Sequence, residues 1–116
     1  MSIDPLFERT YDRDSYNCLH LAAEAWTLLT GDDTLIGVDE RDFKRGLLRD
    51  VFRAYRRVEG PTVTPSIVLM ENLRDEAHIG ICYRQRLLHI REHDGVQNLP
   101  FDASLTTLRN FRFYQR

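Results

Sequence analysis

Ala77-His78-Ile79-Gly80-Ile81-Cys82-Tyr83-Arg84-Gln85-Arg86-Leu87-Leu88-His89-Ile90-Arg91 reads as two strands and the turn between them. Isoleucine and tyrosine favour the pleated, half-buried surface of a sheet. The polar pair Arg84-Gln85 breaks the apolar run and marks the turn, although neither residue is a favoured type I′ residue. Strands are therefore expected at 77–83 and 86–91. A turn centred on 84–85 brings positions 78 and 89 opposite each other to within one residue.

Working outward, Ser66-Ile67-Val68-Leu69-Met70 is a continuous apolar run of buried-strand length, and Asn72-Leu73-Arg74-Asp75-Glu76 is a polar turn after it. Asp94-Gly95 signals another turn before Val96-Gln97-Asn98-Leu99-Pro100. The segment Leu108 to Tyr114 carries Phe111, Phe113 and Tyr114 and is placed to close the sheet. Upstream the period changes. Leu19, Ala22, Ala23, Trp26 and Leu29 recur at helical spacing over 17–30, with Asn17 as N-cap and Thr30-Gly31-Asp32-Asp33 as the stop. A second helix is expected over 39–58, capped by Asp39. Its buried stripe would be Phe43, Leu47, Val51, Tyr55 and Val58, with Gly46 weakening it and Arg45, Arg49, Arg53, Arg56 and Arg57 on its other faces. Residues 1–16 read as an extended or looped lead-in anchored by Leu6, Phe7 and Tyr11. Helices first and strands later indicate an α+β domain with a mainly antiparallel sheet.

The 116 residues suit one domain, 1–116, with one core. A net charge of -2 gives no general reason to expect nucleic acid or an anionic membrane as partner. The basic residues are fifteen Arg and one Lys, a skew without functional content. No apolar run approaches the ~20 residues that span a bilayer, and the N-terminal residues do not read as a secretory signal, so synthesis in a cytoplasm is expected. Cys18 and Cys82 are too few for a disulfide scaffold, and a reducing compartment disfavours a bridge between them. His89-x₃-His93 is the single metal-like spacing; Asp94-Gly95 signals that the strand has ended by His93, so neither metal nor cofactor is expected.

Three residues carry candidate chemistry. Cys18 opens a helix, where the positive end of the dipole favours thiolate. His78 opens a strand and can serve as general base and acid; His89, on the next strand, can hold that imidazole in one tautomer. Cysteine and histidine at such positions are commonly core residues, and Cys82 is read as core. His20 lies on another side of the helix from Cys18, and His93 reads as loop.

Asn17-Cys18 at a helix start, His78-Ile79-Gly80-Ile81-Cys82-Tyr83 and Leu88-His89-Ile90 together resemble the NlpC/P60 cysteine peptidases. The likeness is greatest to the short form found in phage tail-tip proteins. It extends to Val68-Leu69-Met70, to Trp26-Thr27-Leu28-Leu29-Thr30-Gly31 and to the Arg- and aromatic-rich end, covering roughly 11–116. The resemblance implies a papain-like fold with N-terminal helices packed on the sheet. Cys18 would be nucleophile, His78 base and acid, and His89 the orienting member. Tyr11, or less well Tyr16, would lie near the oxyanion with the backbone N–H of Cys18. It also implies a peptidoglycan peptide as substrate, tail proteins as partners and the virion tail as location. The family's Asp-Cys-Ser-Gly is here Asn17-Cys18-Leu19-His20, and its Gly-Asp before the strand is Pro65-Ser66. Two other readings are a catalytically weak or inactive tail-assembly module of the same fold, and an amidase effector exported by a contractile secretion system.

Overall fold

In the computed structural model, which describes residues 3–45, 51–104 and 107–116, the chain is an α+β domain built on one antiparallel sheet of six strands. The strands are β1 (Arg56–Val58), β2 (Ser66–Asn72), β3 (Ala77–Tyr83), β4 (Arg86–Arg91), β5 (Gly95–Pro100) and β6 (Leu108–Gln115), in the order β1-β6-β2-β3-β4-β5. The helices are α1 (Cys18–Thr30), α2 (Glu40–Lys44) and α3 (Phe101–Ser104), with short 3₁₀ turns at Asp4–Glu8, Thr34–Gly37 and Val51–Ala54. No described helix is long and apolar enough to cross a membrane.

The sheet is covered on both faces, which explains the uninterrupted apolar run in β2. On one face Ile67, Ile79, Ile81, Leu88 and Ile90 meet Leu19, Ala22, Ala23 and Trp26 of α1. On the other, Val68, Met70, Cys82 and Leu87 pack with Phe101, Leu108 and Phe113. The small residues Ala22 and Ala25, both buried, let α1 lie close to β3 and β4. Gly31 ends α1 in the left-handed region at φ 79°, its N–H donating to the Thr27 carbonyl at 2.8 Å.

The β3–β4 hairpin has the expected limits, and its turn shows how an unpromising pair is accommodated. Arg84 and Gln85 both adopt left-handed backbone, φ 53° and 62°. Such strain is offset here by two bonds to a neighbouring loop: Arg84 N–H donates to the Val63 carbonyl at 2.9 Å, and Gln85 N–H to the Thr62 carbonyl at 2.8 Å.

The long helix expected over 39–58 is not formed. α2 ends at Lys44, and beyond it Val51–Ala54 is a 3₁₀ turn and Arg56–Val58 a strand. Gly46 and Leu47 of the expected stripe, and Arg49, lie outside the described residues. The helical periodicity of that segment is overridden by sheet pairing, because Arg56, Arg57 and Val58 align with Gln115, Tyr114 and Phe113. Tyr55 is buried between Trp26 and Phe52, with its hydroxyl on Asp32. The lead-in also differs from expectation: Asp4–Glu8 is a 3₁₀ turn that buries Leu6 but leaves Phe7 exposed.

Candidate functional site

The site begins at the N-terminus of α1. The side-chain oxygen of Asn17 accepts from Leu19 N–H at 3.0 Å, and its backbone N–H donates to Nδ1 of His20 at 3.1 Å. The amide nitrogen of Asn17 donates to the Arg13 carbonyl at 3.1 Å and to Oε1 of Glu40 at 2.7 Å. Aspartate could cap the helix but could not donate to Glu40. The asparagine therefore ties the start of α1 to α2, and His20 completes the cap as a structural group. These roles account for two of the departures from the family pattern at Asn17-Cys18-Leu19-His20.

On the sheet, Nε2 of His78 lies 2.9 Å from Nδ1 of His89, with the rings nearly perpendicular at 85°. Their register differs from the one expected. Ile81 aligns with Leu88 and Cys82 with Leu87, and that frame carried on sets His89 across from Gly80 rather than His78. The two histidines are thus diagonal neighbours on one face, within reach of long side chains. Gly80 makes the diagonal contact feasible. A Cβ there would stand 2.8 Å from Cδ1 of Leu87, 2.9 Å from the Leu88 carbonyl and 3.2 Å from Cβ of His89.

Burial, first, and the nearby charge of Arg91 disfavour protonation of both imidazoles; their proximity to one another adds to the effect at His78. His78 is pushed down to about 3 and His89 to about 4, so both are neutral near pH 7. His89 is 1% exposed, and its Nε2 is buried without a partner at bonding geometry. Gln97 sits directly across from it on β5, close enough for its side chain to favour the protonated ring.

Cys18 is a free thiol packed against the helix-side core. Its environment departs from the expectation of a dipole-stabilised thiolate. Burial pushes the thiol up by more than the backbone N–H groups of Ile79 and Leu19 pull it down, and the charge of Glu40 adds to the rise. The N–H of Ile79 places the sulfur one residue along β3 from His78, where β3 and β4 are no longer aligned pairwise. Strand alternation sets both imidazoles on the face of Gly80 and Cys82, while α1 covers the face of Ile79 and Ile81. No hydrogen bond joins Cys18 to either imidazole among the described residues. The structure therefore joins the two histidines and leaves the thiol alongside them, unpaired with His78.

Tyr11 is half-buried, its hydroxyl pushed up by burial and by the charges of Cys18 and Glu92, which places it beside the thiol. Tyr16 is engaged elsewhere. Its hydroxyl donates to Glu24, which also receives Nε and Nη2 of Arg9 at 3.0 and 2.7 Å. Cys82 is core: its thiol donates to the Thr62 carbonyl at 3.3 Å. His93 is exposed in the turn before β5, and no cluster of metal-ligating groups occurs among the described residues. An apolar groove of about 650 Å³ runs along one flank of α1 between Leu19, Ala23, Leu28, Leu35 and Val38. Positions 19, 23 and 27 face it, whereas Cys18 shares the opposite side with Ala22 and Ala25, so it is not the cleft of the thiol.

Asn17 as a bridge to Glu40 and Gln97 as a neighbour of His89 were not singled out in the sequence. The signal for Gln97 was its alternation within 95–100, legible only once β5 is paired with β4. No protein family, no curated protein and no solved structure matches the chain.

Proposed function

We propose that the protein is a thiol hydrolase of the NlpC/P60 type, with Cys18 as nucleophile, His78 as base and acid, and His89 as the orienting group. The observation that carries this reading is the 2.9 Å contact between Nε2 of His78 and Nδ1 of His89, on the strand whose Ile79 N–H bonds the sulfur of Cys18 at a helix start. It engages the far nitrogen of His78 and leaves Nδ1 as the atom to serve the thiol. The substrate is an amide of a peptidoglycan peptide, reached from a phage or prophage tail whose proteins are the partners.

In the reaction Nδ1 of His78 takes the thiol proton as the sulfur attacks the carbonyl carbon. The resulting oxyanion lies toward the backbone N–H of Cys18 and the hydroxyl of Tyr11. The C–N bond breaks and the amine leaves with the proton from His78. Water, deprotonated by the same nitrogen, then cleaves the thioester and frees the enzyme. The resting thiol is raised by burial, so its proton leaves only as the sulfur attacks.

The buried, raised thiol favours a second reading, a tail-assembly module that keeps the fold without turnover. The test is incubation of the purified protein, and of Cys18→Ala, with peptidoglycan, followed by mass spectrometry of the fragments. Cleavage by the wild type and its loss in Cys18→Ala is the result expected. No cleavage, together with a Cys18 inert to iodoacetamide at pH 6, overturns the hydrolase reading in favour of the module.

A further inference from the structure

Every nitrogen in the histidine pair constrains the next. Of the two nitrogens 2.9 Å apart, one must carry the proton and the other accept it. If His89 donates from Nδ1, His78 must carry its own proton on Nδ1, and no acceptor then faces a thiol. If His78 donates from Nε2, its Nδ1 is bare and basic, but the proton of His89 moves to Nε2. That atom is buried and lacks a partner. A buried unpaired donor costs about 1–3 kcal/mol, so the useful tautomer is disfavoured unless an acceptor reaches it. Gln97 is directly opposite His89 in the β4–β5 register and therefore on the same face of the sheet. It is half-buried, and the alternation of β5 turns its neighbour Val96 to the helix-side core.

Resting on the hydrolase reading, we propose that Gln97 is a positioning residue. Its amide oxygen accepts from Nε2–H of His89, which fixes His89 as acceptor at Nδ1, His78 as donor at Nε2, and Nδ1 of His78 as the bare base. The order is Gln97 oxygen, His89, His78, Cys18, each proton pointing away from the thiol. Gln97 touches neither substrate nor nucleophile; it acts by setting which nitrogen of each ring is protonated.

The test uses the whole chain with ¹⁵N-labelled histidine. Long-range ¹H–¹⁵N correlation spectra at pH 7.5 report the tautomer of each ring. In the wild type His89 and His78 are both protonated at Nε2. In Gln97→Leu, His89 shifts toward the Nδ1–H form and kcat falls about tenfold at unchanged KM. Gln97→Glu restores both. If the leucine variant fails to fold, Gln97→Asn, one methylene shorter and still polar, gives the same comparison. A wild-type His89 protonated at Nδ1, or tautomers that ignore substitution of Gln97, overturns the proposal. The two readings fail separately. Tautomers that respond to Gln97 in a protein that does not cleave peptidoglycan support the positioning role and sink the hydrolase. Cleavage that persists with unmoved tautomers does the reverse.

Discussion

Two clusters of buried polar groups tie elements of this fold together, and they are built to opposite standards. Asp32, just beyond α1, accepts from Trp26 Nε1 at 2.9 Å, from Thr34 N–H at 3.1 Å and Oγ1 at 2.6 Å, from the Tyr55 hydroxyl and from Arg116 at 3.0 Å. Burial pushes its carboxyl up, but the donors from Thr34, Tyr55 and Trp26 outweigh that and hold it well below the usual carboxylate range. The His78–His89 pair is buried too, yet one of its nitrogens has no bonded partner. Asp32 is a saturated node that joins α1, the 3₁₀ turn at Thr34–Gly37, Tyr55 and Arg116. The histidine pair is unsaturated, held in place by a glycine rather than by donors. Unsatisfied buried groups are rare in folded proteins, and the contrast separates a fully bonded polar cluster from one that keeps a nitrogen unpaired.

Acid should separate the two clusters most strongly. The unfolded histidines take protons near pH 6.5, but folded they resist until about 3 and 4. The unfolded chain therefore binds more protons as pH falls, and stability drops from pH 6.5 downward. The loss is on the order of 4 kcal/mol for the two together by pH 4.5. Asp32, with its carboxyl depressed, contributes stability that persists over that whole window and fades only as pH falls below the ordinary 3.8. Urea midpoints for the wild type and for His78→Gln/His89→Gln should show the slope above pH 4.5 flattened in the variant. An equal slope in both would break the comparison.

Removal of the saturated node comes next. Asp32→Ala strands the indole N–H of Trp26 and the Tyr55 hydroxyl and should cost about 3 kcal/mol at pH 7 by urea unfolding. A loss below about 1 kcal/mol would mean that the node is replaceable by water. The smallest effect sharpens the contrast from the other side. Gly80→Ala presses a methyl on Leu87, Leu88 and His89 and should cost about 2 kcal/mol. It should also lengthen the His78–His89 contact, visible as a change in the histidine ring ¹⁵N shifts. Unchanged shifts would show that the glycine is not what seats the pair.

The hairpin was legible to the residue because its limits are local: Tyr83 and Arg86 flank a polar pair within a continuous apolar pattern. The capped helix from Cys18 to Thr30 was legible for the same reason, with Asn17 and Gly31 marking its ends. What escaped depends on distant partners. Arg56-Arg57-Val58 belongs to a strand because Phe113-Tyr114-Gln115 is there to pair with it, which no local period reveals. The histidines were expected across from each other to within one residue; they meet diagonally, because the register is fixed by a turn whose amides bond to Thr62 and Val63. The burial that raises the Cys18 thiol was not legible, because a helix terminus is visible in sequence and desolvation by a packed core is not.

The strand order has a consequence for how the chain reaches this state. β6 is the last strand in the sequence but lies between β1 and β2, flanked on both sides. Until it docks, one edge of β2 is open, with Val68 and Met70 lacking their cover from Leu108 and Phe113. β2 through β5 and α1 can associate first, but the sheet stays divided until β6 docks between β1 and β2. Such late, long-range closure slows folding and exposes a hydrophobic edge to neighbouring chains. The slow step of folding should be the docking of β6 between β1 and β2.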